Sequence, residues 1–204
     1  LAEALKSHAL DVWTVSATGP ARLRADAIRY GLNTMSFEVH EGQTVCQIQA
    51  PVVGSYNVAN LLGVIAALRS LGLPLQKIAE SCSGLSPVPG RMETLAIEGR
   101  PLVVIDYAHT PDALTKVLQA LRPLARQRGG RLCCVFGCGG DRDALKRPLM
   151  AAAAEASADR VMLTSDNPRT ESPEAILAAM LAGLKRPTQA KVQVDRGLAI
   201  AQVL

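Results

Sequence analysis

Residues 160–173 read RVMLTSDNPRTESP, a short apolar run followed by a polar loop and a helix-start signal. The run Val161–Thr164 predicts a buried strand, because it is apolar and too short for a helix. The hydroxyl residues and the proline within Thr170–Pro173 are typical of the first turn of a helix. A strand, a polar loop and a helix in this order predict one unit of a parallel α/β sheet.

The same alternation runs through the second part of the chain. The predicted strands are 102–106, 132–136, 160–164 and 191–194, and the predicted helices are 111–124, 148–158, 173–183 and a last one from residue 196. Strands that alternate with helices favour parallel pairing, with helices on the sheet faces. The predicted fold class is therefore α/β, with a Rossmann-like, doubly wound, mostly parallel sheet.

The first part of the chain has a different pattern. Strand-like segments run from Leu1 to about Val53, and residues 35–39 and 45–48 predict a hairpin on either side of Glu41 and Gly42. A helix is expected from Tyr56 to a stop at Gly72, with a shorter one over residues 75–82. The prolines and glycine of residues 86–90 predict a hinge, which gives domains 1–89 and 90–204, the second incomplete at its end.

Composition excludes several classes of protein. The 204 residues are 49% hydrophobic, enough for a sizeable core. No apolar run reaches the roughly 18 residues that span a bilayer, and residues 1–6 lack a secretory pattern, so we expect no membrane contact and a cytoplasmic location. Because the chain starts with Leu1 rather than Met, we expect a piece of a longer protein.

The net charge of +4 lies wholly in residues 91–204, which carry 16 Lys and Arg against 12 Asp and Glu. With six aromatic residues and dispersed basic ones, this favours anionic small molecules over nucleic acid as ligands. A solvated basic face is the alternative.

The five cysteines show no C-x-x-C spacing and predict reduced thiols in a core. Cys138 lies in a glycine loop and is either a reactive thiol or a small packing residue.

The loop Asp166–Arg169 has the groups that an amino-acid substrate needs. Arg169 can fork onto a carboxylate, while Asp166 and Asn167 can accept hydrogen bonds from an ammonium group. The alternative is a capped connection without a ligand, because Asn-Pro is a common turn-former.

Two more polar loops, 106–111 and 137–143, follow predicted strands, and ligands of open parallel sheets gather at the carboxyl ends of strands. The second loop, GCGGDRD, lacks the third glycine of a dinucleotide fingerprint, and its two carboxylates would repel a pyrophosphate. We therefore reject a nicotinamide site. Arg142 is placed either to hold a carboxylate or to pair with Asp141 or Asp143.

Candidate contacts to a nucleotide are less specific. His109 near Asp106 contacts either a ligand or backbone, and Thr110 is expected to cap the next helix. Asn57 and Asn60 lie one helical turn apart and can read a nucleobase edge, although Asn57 is also a possible N-cap.

Six motifs in order resemble the Mur ligases of peptidoglycan synthesis, in particular those that add meso-diaminopimelate. The likeness covers essentially the whole chain. The motifs are YNVAN (56–60), PGRME (89–93), DYAHTP (106–111), FGCGGDRD (136–143), KRP (146–148) and DNPR (166–169).

The resemblance implies a three-domain enzyme of which this chain holds the tail of the central P-loop ATPase domain and most of the carboxyl-terminal domain. No G-x-x-x-x-G-K-[ST] is found, so the phosphate cradle, the carbamylated lysine and the Mg²⁺ ligands are expected upstream of Leu1. A Gly-Lys-Gly-His-Glu segment is expected beyond Leu204. No catalytic residue and no metal ligand is assigned within the chain, which alone should be inactive.

The implied reaction uses ATP to phosphorylate UDP-N-acetylmuramoyl-L-alanyl-D-glutamate, and the amine of diaminopimelate then displaces phosphate. By motif match, diaminopimelate is held by Arg142 and by the DNPR motif. The nucleotide is expected near a second set of residues, whose roles are less secure. The first set is Arg142, Asp166, Asn167, Pro168 and Arg169, and the second is Asn57, Asn60, Arg91, Asp106 and His109.

Three rival interpretations remain at this stage. A lysine-adding Mur ligase is the nearest, but Arg169 would have no carboxylate to bind. Folylpolyglutamate synthase shares the fold and the acyl phosphate, but Asp-Asn-Pro-Arg is not expected there. The third is a non-catalytic nucleotide-binding module. For the Mur ligase, a monomer is expected.

Overall fold

The structure, a computed structural model, describes residues 10–31, 34–86 and 88–204. The chain divides into two compact units, Leu1–Thr94 and Leu95–Leu204. The predicted division into 1–89 and 90–204 stays a prediction. The strand-like expectation for residues 1–9 and for residues 32 and 33 falls outside the described ranges, as does Pro87 of the predicted hinge.

The first unit contains a four-stranded sheet. Its strands are β1 (Val15–Ser16), β2 (Leu23–Tyr30), β3 (Met35–Glu41) and β4 (Thr44–Ala50). They lie in the order β1-β2-β3-β4, with β1 parallel to β2 and the other neighbours antiparallel. The register between β2 and β3 shifts between Asp26 and Arg29, where Ala27 has a left-handed φ of 49°.

The predicted hairpin is confirmed as β3 and β4. Glu41 pairs with Thr44 across a two-residue turn, and Gly42 in that turn has a φ of 58°, which favours glycine. Alternate residues of both strands are buried, as the period-2 pattern predicts: Met35, Phe37, Val39, Cys46, Ile48 and Ala50.

Two helices complete the core of this unit, α1 (Tyr56–Ser70) and α2 (Leu75–Cys82). Val58, Leu62 and Ile65 of α1 are buried in the same cluster as the inner face of the sheet. The predicted stop is confirmed, because the chain turns at Gly72, whose φ is 87°. Both predicted helices are therefore present.

The second unit alternates helices and strands. After two short strands described below, the elements are α3 (Pro111–Gln127), β7 (Cys133–Phe136), α4 (Lys146–Ser157), β8 (Arg160–Thr164), α5 (Pro173–Leu181), β9 (Lys191–Gln193) and α6 (Arg196–Ala201). The strands form a three-stranded parallel sheet in the order β7-β8-β9. Helix α4 contacts α3 and α5, and α6 contacts β8 and β9. The predicted α/β class is confirmed.

One predicted strand differs from the expectation. β6 (Val103–Ile105) belongs to a separate two-stranded sheet with β5 (Glu93–Leu95), not to the sheet of β7, β8 and β9. Ile105 is 42% exposed, whereas a central parallel strand is buried on both faces. The sequence alone does not show this difference, because the apolar run 102–105 is the same in either setting.

Candidate functional site

The connection from β8 to α5 presents the DNPR motif. β8 is buried from Val161 to Thr164, and the chain becomes exposed at Asp166 as it leaves the sheet. The Glu171 N–H donates to the Pro168 carbonyl at 3.0 Å, which folds the motif into a turn. Arg169 takes a left-handed φ of 51°, a conformation that costs free energy for a residue with a Cβ and is common at functional sites.

The glycines after β7 are required by the close approach of this connection. A Cβ on Gly137 would lie 2.4 Å from the Thr164 carbonyl oxygen, and one on Gly140 would lie 1.8 Å from the Pro168 carbonyl oxygen. Side chains at these positions would overlap the backbone after β8. The glycines therefore serve contact between two loops, a reason that the sequence did not indicate.

Hydrogen bonds join the same two loops. The Gly140 N–H donates to the Asn167 carbonyl at 2.8 Å, and Arg169 Nη1 donates to the Gly140 carbonyl at 2.6 Å. The Thr170 hydroxyl donates to Asp141 Oδ1 at 2.6 Å. Asp141, like Arg169, has a left-handed φ, here 52°. We call residues 137–143 and 166–171 together the paired loops.

Arg142 and Arg169 flank one point of the paired loops. A Cβ on Gly139 would lie 2.9 Å from Arg169 Nη1 and 3.8 Å from Arg142 Cγ. Arg142 is exposed, and in the described part of the chain its guanidinium makes no hydrogen bond or ion pair. The alternative pairing of Arg142 with Asp141 or Asp143 is therefore wrong. Asp143 instead accepts from the Leu145 N–H at 2.9 Å.

Two residues beneath the paired loops were assigned no role from the sequence, although Arg147 lies in the KRP motif. Arg147 is 4% exposed and donates to both carboxylate oxygens of Glu171, at 2.8 and 2.7 Å. The Arg147 guanidinium, with the Asp141 N–H bond, holds the pKa of Glu171 at about 2. The signal in the sequence was a charge on an apolar helix face, since Arg147 shares a stripe with the buried Met150, Ala151 and Ala154.

The loop after β6 carries Asp106 and His109. His109 Nδ1 lies 3.0 Å from the Tyr107 carbonyl oxygen, and Lys146 Nζ donates to the His109 carbonyl at 3.1 Å. The Thr110 hydroxyl accepts from the Ala113 N–H at 3.2 Å, so the predicted cap is confirmed. The His109 ring thus contacts backbone, as one of the two interpretations expected.

The remaining nucleotide candidates lie in the first unit. Asn57 Nδ2 donates to the Val53 carbonyl at 2.7 Å, and Asn60 Nδ2 donates to Asn57 Oδ1 at 3.0 Å. Ser55 occupies the N-cap position of α1, so the N-cap alternative for Asn57 is wrong. Arg91 is exposed. Asn60 keeps its amide oxygen and one N–H available for a base edge.

The second unit also has a cavity of about 250 Å³ at the opposite edge of its sheet. It is lined by the first residues of the three strands, Cys133, Arg160 and Lys191, whereas the paired loops follow the last residues of β7 and β8. The cavity is therefore separate from the candidate site.

No group of three or more His, Cys, Asp or Glu side chains is placed to hold a metal ion among residues 10–31, 34–86 and 88–204. Across those same residues, no helix has the length and apolar character to cross a membrane.

Comparison with known proteins identifies close relatives. The profile of the family "Mur ligase, glutamate ligase domain" matches residues 90–204. A UDP-N-acetylmuramoyl-L-alanyl-D-glutamate–2,6-diaminopimelate ligase of Acidovorax sp. (strain JS42) is 54% identical over 98% of this chain, and one of Synechococcus elongatus is 44% identical over 94%. These matches cover 40% and 38% of the relatives, so the chain spans about two fifths of their length.

Solved structures agree on the fold. A ligase of the same name has a TM-score of 0.64 at 39% identity, over 94% of this chain and 39% of that one. A folylpolyglutamate synthase of Mycobacterium tuberculosis complexed with ADP has a TM-score of 0.68 at 21% identity, over 92% of this chain and 40% of that one. The second likeness shows the fold alone.

Proposed function

The chain belongs to the Mur ligase family, and from that premise we propose that the full-length protein carrying it adds meso-diaminopimelate to UDP-N-acetylmuramoyl-L-alanyl-D-glutamate with ATP. Two relatives with this name, 54% and 44% identical to the chain, support the substrate pair. One structural observation carries the proposal. Two exposed arginines, Arg142 and Arg169, flank Gly139, where the backbone oxygen of Asn167 from the DNPR motif also approaches.

This set of groups fits an amino acid with a second carboxylate. Arg169 uses one Nη1 hydrogen on the Gly140 carbonyl and keeps its other donors for a ligand carboxylate. Arg142 can approach the same carboxylate, while Asp166 and Asn167 can accept from the distal ammonium group. Pro168 acts through its backbone, because its carbonyl contacts Gly140 and fixes the turn.

The proposed chemistry joins an acid to an amine in two steps. The γ-phosphoryl group of ATP moves to the D-glutamate carboxylate, which releases ADP and leaves an acyl phosphate. The diaminopimelate nitrogen then attacks the acyl carbon, its proton leaves, and the carbon–oxygen bond to phosphate breaks. The residues of this chain contribute by orienting the amine, since holding the reactants in place removes much of the entropic barrier.

The nucleotide residues form the second half of the proposal. We assign Asn57 and Asn60 to adenine, Asp106 to ribose, and Arg91 and His109 to the phosphates. A fold shared with a synthase that binds ADP supports a nucleotide, although not these individual contacts. Magnesium is expected with ATP, with ligands outside this chain.

The cellular setting follows from the chemistry. All five cysteines are free, which suits a reducing compartment where ATP is abundant. We therefore propose a cytoplasmic enzyme that acts as a monomer on small molecules and binds neither nucleic acid nor membrane.

The choice between diaminopimelate and lysine depends on Arg169. Lysine lacks the distal carboxylate, so bound lysine would leave guanidinium groups without their partner. A site built to bind a polar group rejects an analogue that lacks it by about 10⁴-fold.

The test is the mass of the product made by the full-length protein from ATP, Mg²⁺ and UDP-N-acetylmuramoyl-L-alanyl-D-glutamate, with meso-diaminopimelate and lysine in parallel tubes. We expect the diaminopimelate adduct alone. Addition of lysine would keep the family and overturn the role of Arg169. No adduct in either tube would overturn the proposed activity.

A further inference from the structure

Arg147 is buried beneath the paired loops, whereas Arg142 and Arg169 are exposed. Its side chain is 5% exposed, and both terminal nitrogens reach the Glu171 carboxylate. A substrate bound at the exposed Arg142 and Arg169 would have to break both hydrogen bonds between Arg147 and Glu171 before it could pair with Arg147.

The Arg147–Glu171 pair connects three segments of the unit. Arg147 lies in the first turn of α4, and its Nη2 also donates to the Gly139 carbonyl at 3.3 Å. Glu171 Oε1 also accepts from the Asp141 N–H at 2.7 Å. Both of the paired loops are therefore held against the start of one helix.

Stability alone does not explain a charge in this position. Arg147 is buried, whereas the Glu171 side chain is 34% exposed. Desolvation of the guanidinium opposes its attraction to Glu171, and replacement of a buried charge by apolar groups is often neutral or stabilising. Arg147 Nε also finds no hydrogen-bond partner among the described residues, which adds to the cost. The better explanation is that the pair positions Glu171, because the planar guanidinium fixes the carboxylate in both distance and direction.

We propose that Arg147 and Glu171 are positioning residues that hold Asn167 and Arg169 in place before diaminopimelate binds. This inference rests on the proposed function for its substrate. Asp141 and Arg169 both have a left-handed φ, which costs free energy for a residue with a Cβ. These backbone conformations persist only while the surrounding contacts hold them. Neither Arg147 nor Glu171 touches the substrate.

The kinetic test compares two variants of the full-length protein with a matched control. Glu171→Gln keeps the size of the side chain, and Arg147→Met combined with Glu171→Gln removes both charges, so that no buried charge is left unpaired. We expect the KM for diaminopimelate to rise about tenfold in both, because small displacements of positioning groups are costly. The KM values for ATP and for the nucleotide precursor should stay within about twofold of wild type.

Glu155→Gln is the control. Glu155 also accepts two backbone N–H groups, from Lys185 at 2.9 Å and Arg186 at 2.8 Å, but it lies near the far end of α4. Its substitution should leave all three KM values unchanged. A merely structural role for Arg147 and Glu171 predicts that their variants lose active protein with every KM unchanged, and this result would overturn the inference.

A second measurement on this chain separates the inference from the proposed function. Hydrogen exchange at the Gly140 amide, which bonds to the Asn167 carbonyl, should accelerate at least tenfold in Glu171→Gln and not in Glu155→Gln. Equal protection in all three proteins would overturn the inference. If wild type forms no diaminopimelate adduct, the proposed activity fails, and the exchange result still decides whether the pair holds the loops.

Discussion

The paired loops and the loop after β6 both follow strands of the second unit, and both carry candidate site residues. A backbone bond and side-chain bonds join the paired loops, the Arg147–Glu171 ion pair holds them to α4, and Gly137 and Gly140 leave no room for a Cβ. The loop at 106–110 carries Tyr107 at 66% exposure, and Lys146 holds the His109 carbonyl from outside. The comparison indicates that the proposed amino-acid side of the site is formed in advance by contacts between two loops, whereas the loop at 106–110 presents an exposed Tyr107 ring beside His109.

The largest effect is expected from Gly140→Ala. Its new Cβ would lie 1.8 Å from the Pro168 carbonyl oxygen, so one of the paired loops must move. We expect a loss of roughly 3 kcal/mol in the free energy of unfolding, at the upper end for overpacking, measured by urea denaturation.

Gly63→Ala is the matched control for that change. Gly63 lies in α1, and a Cβ there has nothing within 4 Å. A gain of about 0.5–1 kcal/mol is expected, because alanine favours a helix. If Gly140→Ala is as well tolerated as Gly63→Ala, the paired loops are not in close contact.

Arg169→Ala comes next. We expect the KM of the full-length protein for diaminopimelate to rise at least tenfold, about 1.4 kcal/mol or more of lost binding, with the KM for ATP unchanged. Arg126→Ala, on the exposed last turn of α3, is the control for loss of one positive charge. An unchanged KM in Arg169→Ala would contradict the assignment.

The Arg147–Glu171 pair should also make the free energy of unfolding depend on pH in acid. Arg147 and the Asp141 N–H together lower the pKa of Glu171 from its ordinary 4.5 to about 2. The stabilisation from this pair is therefore present above pH 4.5 and is lost as the pH falls toward 2. The free energy of unfolding of wild type should fall more steeply over that range than that of Glu171→Gln. Parallel curves would show that the pair does not persist in solution.

The smallest effect concerns Cys138. This thiol is 4% exposed within the glycine loop, and burial raises its pKa. At pH 8 we expect it to react with a maleimide much more slowly than the half-buried Cys133, with the labelled sites identified by peptide mass. Rapid labelling of Cys138 in wild type would mean that the paired loops open freely.

The sequence predicted the elements better than their connections. Periodicity and capping signals placed α1, the hairpin and the β8–α5 connection correctly, because these depend on local pattern. The separate pairing of β6 was missed, since strand partners are non-local. Of the candidate site, the polar loops were predicted from their positions at strand ends, and the roles of Arg142 and Arg169, from the GGDRD and DNPR motifs, stay predictions.

The contacts behind those motifs were not predictable. The reason for Gly137 and Gly140 is their close approach to the backbone of the β8–α5 connection, which is a contact between segments distant in the sequence. Arg147 could have been noticed as a charge on an apolar stripe, but its partner Glu171 lies 24 residues away in the chain. The sequence does not specify which of several nearby carboxylates it meets.

The most direct test of a preformed amino-acid site is a crystal structure of the full-length protein with meso-diaminopimelate bound. We expect the guanidinium groups of Arg142 and Arg169 at hydrogen-bonding distance, about 3 Å, from one ligand carboxylate. The Gly140 to Asn167 and Arg147 to Glu171 contacts should be unchanged from those described here. A ligand bound elsewhere, or paired loops that have separated to admit it, would contradict the account.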